Sequence, residues 1–213
     1  MFDLPLPLTI ALVVGTIAFA ASGAVAGVRA GMDWLGVSSL AAVTAIGGGT
    51  LRDLLMVTTP FWLIDFWPTV GIIAATVLVV WVLALLAPWQ TNPGWMRHVF
   101  TVTDAVGLAA FTVVGTDVAR SAGFGVGPAL ILGVLSGIGG GIIRDLIAGR
   151  RISVFFTGEV YALAAALGSA AFLATSGLGA WTPFVVGIAV TLVVRLGAMA
   201  LGWRVPTLPT SEA

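Results

Sequence analysis

The stretch "GGGTLRDLL", residues 47–55, interrupts an apolar run with three glycines and then sets an Arg beside an Asp. Residues 139–147 read "GGGIIRDLI", the same pattern 92 positions later. Each glycine inside a helix costs roughly 1 kcal/mol relative to alanine, so three in a row predict a break. An Arg-Asp pair in an oily segment carries a desolvation cost as well. One such stretch is an oddity. Two at a fixed spacing point to an internal repeat.

The repeat extends well beyond the glycines. Shifted by 92, Val14, Gly15, Ala18, Phe19, Gly23, Ala30 and Gly31 meet Val106, Gly107, Ala110, Phe111, Gly115, Ala122 and Gly123. Leu40 meets Leu132, Ile46 meets Ile138, and Arg52-Asp53-Leu54 meets Arg144-Asp145-Leu146.

The surroundings of these motifs are those of a membrane chain. Hydrophobic residues make up 59% of the 213 positions, charged residues 8%, and the mean hydropathy is +1.13. A soluble domain carries about 25% charged residues, so this chain could not cover a water-facing surface. Formal net charge is zero, which suggests no nucleic-acid partner. All nine basic residues are Arg and there is no Cys, which excludes disulfides, thiolate metal sites and Cys nucleophiles. The single His98 cannot build a His-rich metal site. No cofactor is expected.

A spanning helix needs about 20 apolar residues. Seven candidates fit, at roughly 8–28, 35–58, 68–87, 99–119, 127–149, 159–176 and 180–202. The first resembles a signal peptide, with "AFA" at 18–20, but Asp3 replaces a basic n-region and its mid-chain copy cannot be a signal. It is expected to be retained. The expected fold is an all-α membrane protein in one domain of 1–213: repeat 1 at about 8–87, repeat 2 at about 99–176, and an extra helix at about 180–202. Each repeat holds three helices. An odd number makes the second enter from the opposite side, which gives an inverted-topology repeat. The tail "VPTLPTSEA" reads as a polar, disordered end.

Arginine placement sets the orientation. With the N-terminus outside, the inner loops and tail hold Arg29, Arg97, Arg150, Arg151 and Arg204, while the outer loops hold only Arg120. This favours an N-terminus outside and a C-terminus in the cytoplasm. Trp34, Trp62, Trp67, Trp89, Trp95, Trp181 and Trp203 fall near predicted interfaces, as anchoring belts do.

Gly47, Gly48 and Gly49, with Gly139, Gly140 and Gly141, are the candidate kinks. A break is tolerated at membrane depth only where it faces protein or water. The bland alternative is close helix packing by small residues. Arg52, Asp53, Arg144 and Asp145 are the candidate gate or inter-repeat charges, with cross-pairing of Arg52 to Asp145 and Arg144 to Asp53 as the structural version. Neighbours on a helix point about 100° apart, so one of each pair could bridge helices while the other faces a cavity. Asp104 stands opposite Leu12 and breaks the symmetry. Thr44 and Ser136, one turn before the glycines, are candidate pore hydroxyls or simple caps for helix carbonyls. Asp117 and Glu159 read as interfacial, and Arg195 as a snorkelling residue.

These motifs together resemble the prokaryotic branch of the trimeric intracellular cation channels, the TRIC family. The resemblance rests on the doubled GGGxxRDL, two three-helix repeats with a seventh helix, and "FWL" at 61–63, and covers roughly residues 5 to 203. It implies a homotrimer in a prokaryotic cell membrane with one pore per protomer. It also implies conduction of monovalent cations, mainly K⁺, past the kinks of the second and fifth segments. The same branch has carried a glycine-transporter label, so a secondary transporter of glycine or a similar small zwitterion is the alternative. A membrane enzyme is a poor reading, because no nucleophile-base pair or metal cluster is present.

Overall fold

The computed structural model describes residues 4–86, 93–150, 152 and 160–203. Trp89, Arg151, Glu159 and Arg204 lie outside them. The described residues form eight helices and no strand: α1 Leu6–Arg29, α2 Trp34–Leu55, α3 Phe61–Ile64, α4 Phe66–Leu86, α5 Pro93–Ser121, α6 Val126–Ile147, α7 Ala162–Ala174 and α8 Thr182–Leu201. Six are long and apolar enough to cross a membrane; α7, with 13 residues, is apolar but shorter. The sequence predicts a spanning segment at 159–176, and the described part of it is this shorter helix. The four-residue α3 is a feature the hydropathy pattern does not announce.

Helix ends repeat along with the sequence. Gly31 takes φ 71° and Gly123 φ 87°, letting Met32 N–H reach the Gly27 carbonyl and Phe124 N–H reach the Ala119 carbonyl, each at 3.1 Å. This is the left-handed glycine cap that closes α1 and α5. The ends of α2 and α6 match as well: Thr58 N–H donates to Asp53 O and Arg150 N–H to Asp145 O, both at 2.9 Å. There the left-handed residue is Gly149 in one copy but Val57, φ 56°, in the other. A β-branched side chain in that region is strained.

Helices α1, α2, α5 and α6 pack together at the centre. Helix α4 lies against α1 and α2, while α7 and α8 lie against α5 and each other. The central contacts recur with their partners exchanged. Gly15 faces the Phe111 ring and Gly107 faces the Phe19 ring. The two rings stack with centroids 5.3 Å apart and planes 9° apart.

Neither glycine triplet unwinds its helix, contrary to the expected break. Helix α2 runs through Gly47–Gly49 and α6 through Gly139–Gly141 without interruption. The physical reason is tertiary. The backbones of α2 and α6 cross in direct contact, and only hydrogen fits there. A Cβ on Gly48 would fall on the Ser136 carbonyl oxygen, and one on Gly140 would fall on the Thr44 carbonyl oxygen. Close approach of this kind offsets the weak helix propensity of glycine.

Candidate functional site

Arg52 and Arg144 fall in the last turns of α2 and α6. A cation there meets the negative end of the helix dipole. Both are almost fully buried, at 2% and 1% exposure.

The pairing differs from the expected cross-link between repeats. Arg52 bonds its own neighbour, with Nη2 2.6 Å and Nε 2.7 Å from Asp53 Oδ1. Arg144 likewise bonds Asp145 Oδ1, from Nε at 3.0 Å and Nη2 at 2.9 Å. Long guanidinium stems fold back onto the adjacent carboxylate more readily than they reach across the glycine crossing. The expected split, with one side chain bridging and the other facing a cavity, therefore does not describe the Arg52 pair.

Past this point the two pairs diverge. Arg144 Nη1 donates to Asp104 Oδ1 at 2.5 Å and to Ser22 Oγ at 2.6 Å. Asp104 Oδ1 also accepts from the Tyr161 hydroxyl at 3.2 Å. Five buried residues from α1, α5, α6 and the start of α7 thus form one network: Ser22, Asp104, Arg144, Asp145 and Tyr161. Arg52 has nothing comparable. Its Nη1 is buried without a hydrogen-bond partner among the described residues. The symmetry-related position to Asp104 is Leu12, and to Ser22 it is Val114. Asp53 is engaged elsewhere, accepting from Phe61 N–H at 2.8 Å and so fastening α3 to the end of α2.

The predicted hydroxyls are both fully buried. Thr44 Oγ1 donates to the Leu40 carbonyl at 2.6 Å, whereas Ser136 Oγ has no partner among the described residues. The outer glycines of the triplets meet aromatic groups: Gly49 the Phe61 ring, and Gly141 the Tyr161 hydroxyl.

A cavity of about 650 Å³ opens beside the Arg144 network. Asp104 contributes to its wall, together with Arg29, Arg97, His98, Arg150 and Arg195. It therefore brings together the C-terminal end of α1, the N-terminal end of α5 and the turn after α6. Arg150 lies partly buried here, and desolvation, with Arg29 and Arg144 nearby, pulls its pKa below the ordinary arginine value. No group of three or more His, Cys, Asp or Glu suited to a metal occurs among the described residues.

Sequence reading singled out Asp104 and the Arg-Asp pairs but not Ser22, Phe100 or Tyr161. Tyr161 carried one signal, as the sole tyrosine of the chain. Ser22 carried none.

A family profile described as "Glycine transporter" matches residues 9–85 and again 101–177. The UPF0126 inner membrane protein YadS of Escherichia coli (strain K12) is 38% identical over 204 residues, covering 94% of this chain and 95% of the relative. A solved TRIC trimeric intracellular cation channel orthologue from Rhodobacter sphaeroides superposes with a TM-score of 0.80 at 32% identity, covering 92% of this chain and 98% of that one. A prokaryotic TRIC channel crystallised in 0.5 M KCl gives a TM-score of 0.83 at 27% identity, covering 92% and 96%.

Proposed function

Because this chain belongs to the prokaryotic branch of the TRIC channel family, we propose that it conducts monovalent cations, principally K⁺, through one pore in each protomer of a homotrimer. The pore passes the α2–α6 glycine crossing. It runs between the Arg144 network on one side and the Arg52–Asp53 pair on the other.

The observation that carries this reading is the buried carboxylate of Asp104 at the wall of a polar cavity, beside the crossing. A carboxylate in that position attracts a cation, while its bonds to Arg144 and Tyr161 keep it from binding one too tightly to release. The arginines do not block the way because each is held by a carboxylate. In this reading the two pairs act as gates, one toward each face.

The two repeats are inverted. In support, the cavity joins the C-terminal ends of α1 and α6 to the N-terminal end of α5, so α1 and its counterpart α5 run oppositely. The duplication itself is supported by the family profile, which matches twice with the same offset of 92 at both limits, 9 to 101 and 85 to 177. Arg29, Arg97 and Arg150 share this cavity, and the excess of arginine makes its face the cytoplasmic one. The N-terminus is then outside.

The test is a planar bilayer with a KCl gradient. Unitary steps reversing near the potassium potential support the channel. A second reading has one observation behind it, the buried Arg52 Nη1 without an acceptor. A carboxylate would satisfy it, as in a transporter of glycine or a similar zwitterion. Bilayer silence with saturable glycine uptake into liposomes would establish that reading instead.

A further inference from the structure

Phe100 lies one turn before Asp104 on α5 and lines the same basic cavity at 9% exposure. Its counterpart across the repeat is Leu8, so the ring belongs to one half of the molecule only. Three guanidinium carbons stand over it: Arg144 at 4.5 Å from the ring centroid, Arg150 at 4.6 Å and Arg29 at 5.6 Å. All three fall within the roughly 6 Å over which an aromatic face attracts a cation. They arrive from separate places: the end of α1, the last turn of α6 and the turn beyond it. Arg144 has carboxylate partners, but neither Arg29 nor Arg150 forms a salt bridge among the described residues. Arg150 Nη1 is buried without any hydrogen-bond partner there. Three like charges this close repel one another unless something common holds them. The ring is the contact common to all three, while Asp104 and Asp145 act on Arg144 and Arg150.

Under the channel reading this arrangement has a consequence. A cation crossing the cavity passes Arg29, Arg97, Arg150 and Arg195 around Asp104, the one acidic side chain on its wall among the described residues. We infer that Phe100 is a positioning residue for permeation. Its ring holds the guanidiniums of Arg29 and Arg150 against one wall, beside the carboxylate-bound Arg144, and so keeps them from crowding the ion's path past Asp104. This inference rests on the channel reading of the same cavity. Phe100 touches no ion itself; it acts through the arginines.

The experiment is bilayer recording in a KCl gradient of the full chain, Phe100→Leu, Phe100→Tyr, and the pair Arg29→Gln/Arg150→Gln with and without Phe100→Leu. Loss of the ring frees Arg29 and Arg150 into the cavity and lowers K⁺ conductance about two- to fivefold, the population change set by one cation–π contact at a water-accessible wall. The reversal potential shifts toward that of chloride. Phe100→Tyr keeps the aromatic face and conducts as wild type. In the Arg29→Gln/Arg150→Gln background, Phe100→Leu has little left to release, and its effect shrinks. Should the leucine variant fail to fold, Phe100→Met removes the ring with a more adaptable side chain. Wild-type currents from the leucine or methionine variant overturn the inference while leaving the channel intact. Equal impairment by leucine and tyrosine, or an undiminished leucine effect in the double-Gln background, marks Phe100 as packing only and overturns it too. Silence of the wild type itself brings down the channel reading and this inference together.

Discussion

Substituting Gly48 or Gly140 with alanine separates the two explanations of the glycine triplets. If glycines were present to weaken the helix, alanine at any of the six positions would have a similar effect, strengthening the helix by roughly 1 kcal/mol. The structure requires a different order. A Cβ at Gly48 or Gly140 collides with a backbone carbonyl, which cannot rotate aside. At Gly47 it meets Ile143 Cδ1 at 2.8 Å, the far end of a flexible side chain. At Gly71 and Gly127 it meets nothing within 4 Å. Overpacking of this kind costs about 1–3 kcal/mol. Gly48→Ala and Gly140→Ala should therefore each lose about that much, Gly47→Ala less, and Gly71→Ala and Gly127→Ala should be neutral or slightly stabilised. Thermal unfolding in detergent, followed by circular dichroism, ranks the five. On the proposed channel reading, the two damaging variants should also change unitary conductance in the bilayer, because spreading α2 from α6 alters the space at the crossing. Equal stability across the five variants, or a gain at Gly48 and Gly140, would falsify the close-approach account.

Val57→Gly relieves a left-handed β-branched residue and should stabilise the protein by about 1 kcal/mol, read as a higher unfolding temperature; a lower one removes the strain argument. Arg144→Gln leaves Asp104 and Asp145 buried together without their cation and should cost about 3–5 kcal/mol, measurable in the same melts. Arg52→Gln should cost less, because its Nη1 already lacks a partner; the reverse order would show that the network is not what distinguishes the two pairs. Asp53→Asn weakens the bond from Phe61 N–H and should loosen α3, seen as faster amide exchange at residues 61–64.

Much of the fold is visible in the sequence because its signals are local and doubled. Gly31 and Gly123 announce helix ends, and the recurring Arg-Asp pairs fix the offset of the repeat. The triplets mislead because propensity describes an isolated helix, whereas Gly48 and Gly140 sit where another backbone touches them. The site is only half legible. Asp104 stands out as an acid opposite Leu12, yet its partner Arg144 is 40 residues away, and no pattern joins them. Ser22 lies 122 residues from the same guanidinium and has a valine for its counterpart. The aromatic cluster at Phe100 is invisible in one dimension, since its three arginines share no spacing. Seven spans were expected; six of the described helices are long and apolar enough to cross a membrane, and the described part of the run at 159–176 is the 13-residue α7.

The asymmetry between the two halves bears on how a cation could pass arginines at all. Around Arg144 there are two carboxylates, Asp104 and Asp145, and the cavity beside them adds Arg29, Arg97, Arg150 and Arg195. Around Arg52 there is one carboxylate, Asp53, and the pair is neutral. On the proposed channel reading, the Asp104 carboxylate is what could draw a cation past those arginines, and the Arg52 end has no counterpart to it. Duplication alone would have produced two equal ends. Asp104 in place of a leucine, held by the Tyr161 hydroxyl, with Ser22 on its partner Arg144, is what makes them unequal. On the proposed channel reading, replacing Asp104 by asparagine should make the two ends less unequal by removing that carboxylate's charge while preserving the shape. The current-voltage relation of that variant in symmetric KCl should then rectify less than the wild type. Unchanged rectification would mean that the charge at Asp104 does not shape the path, and the site would have to be sought elsewhere along the α2–α6 crossing.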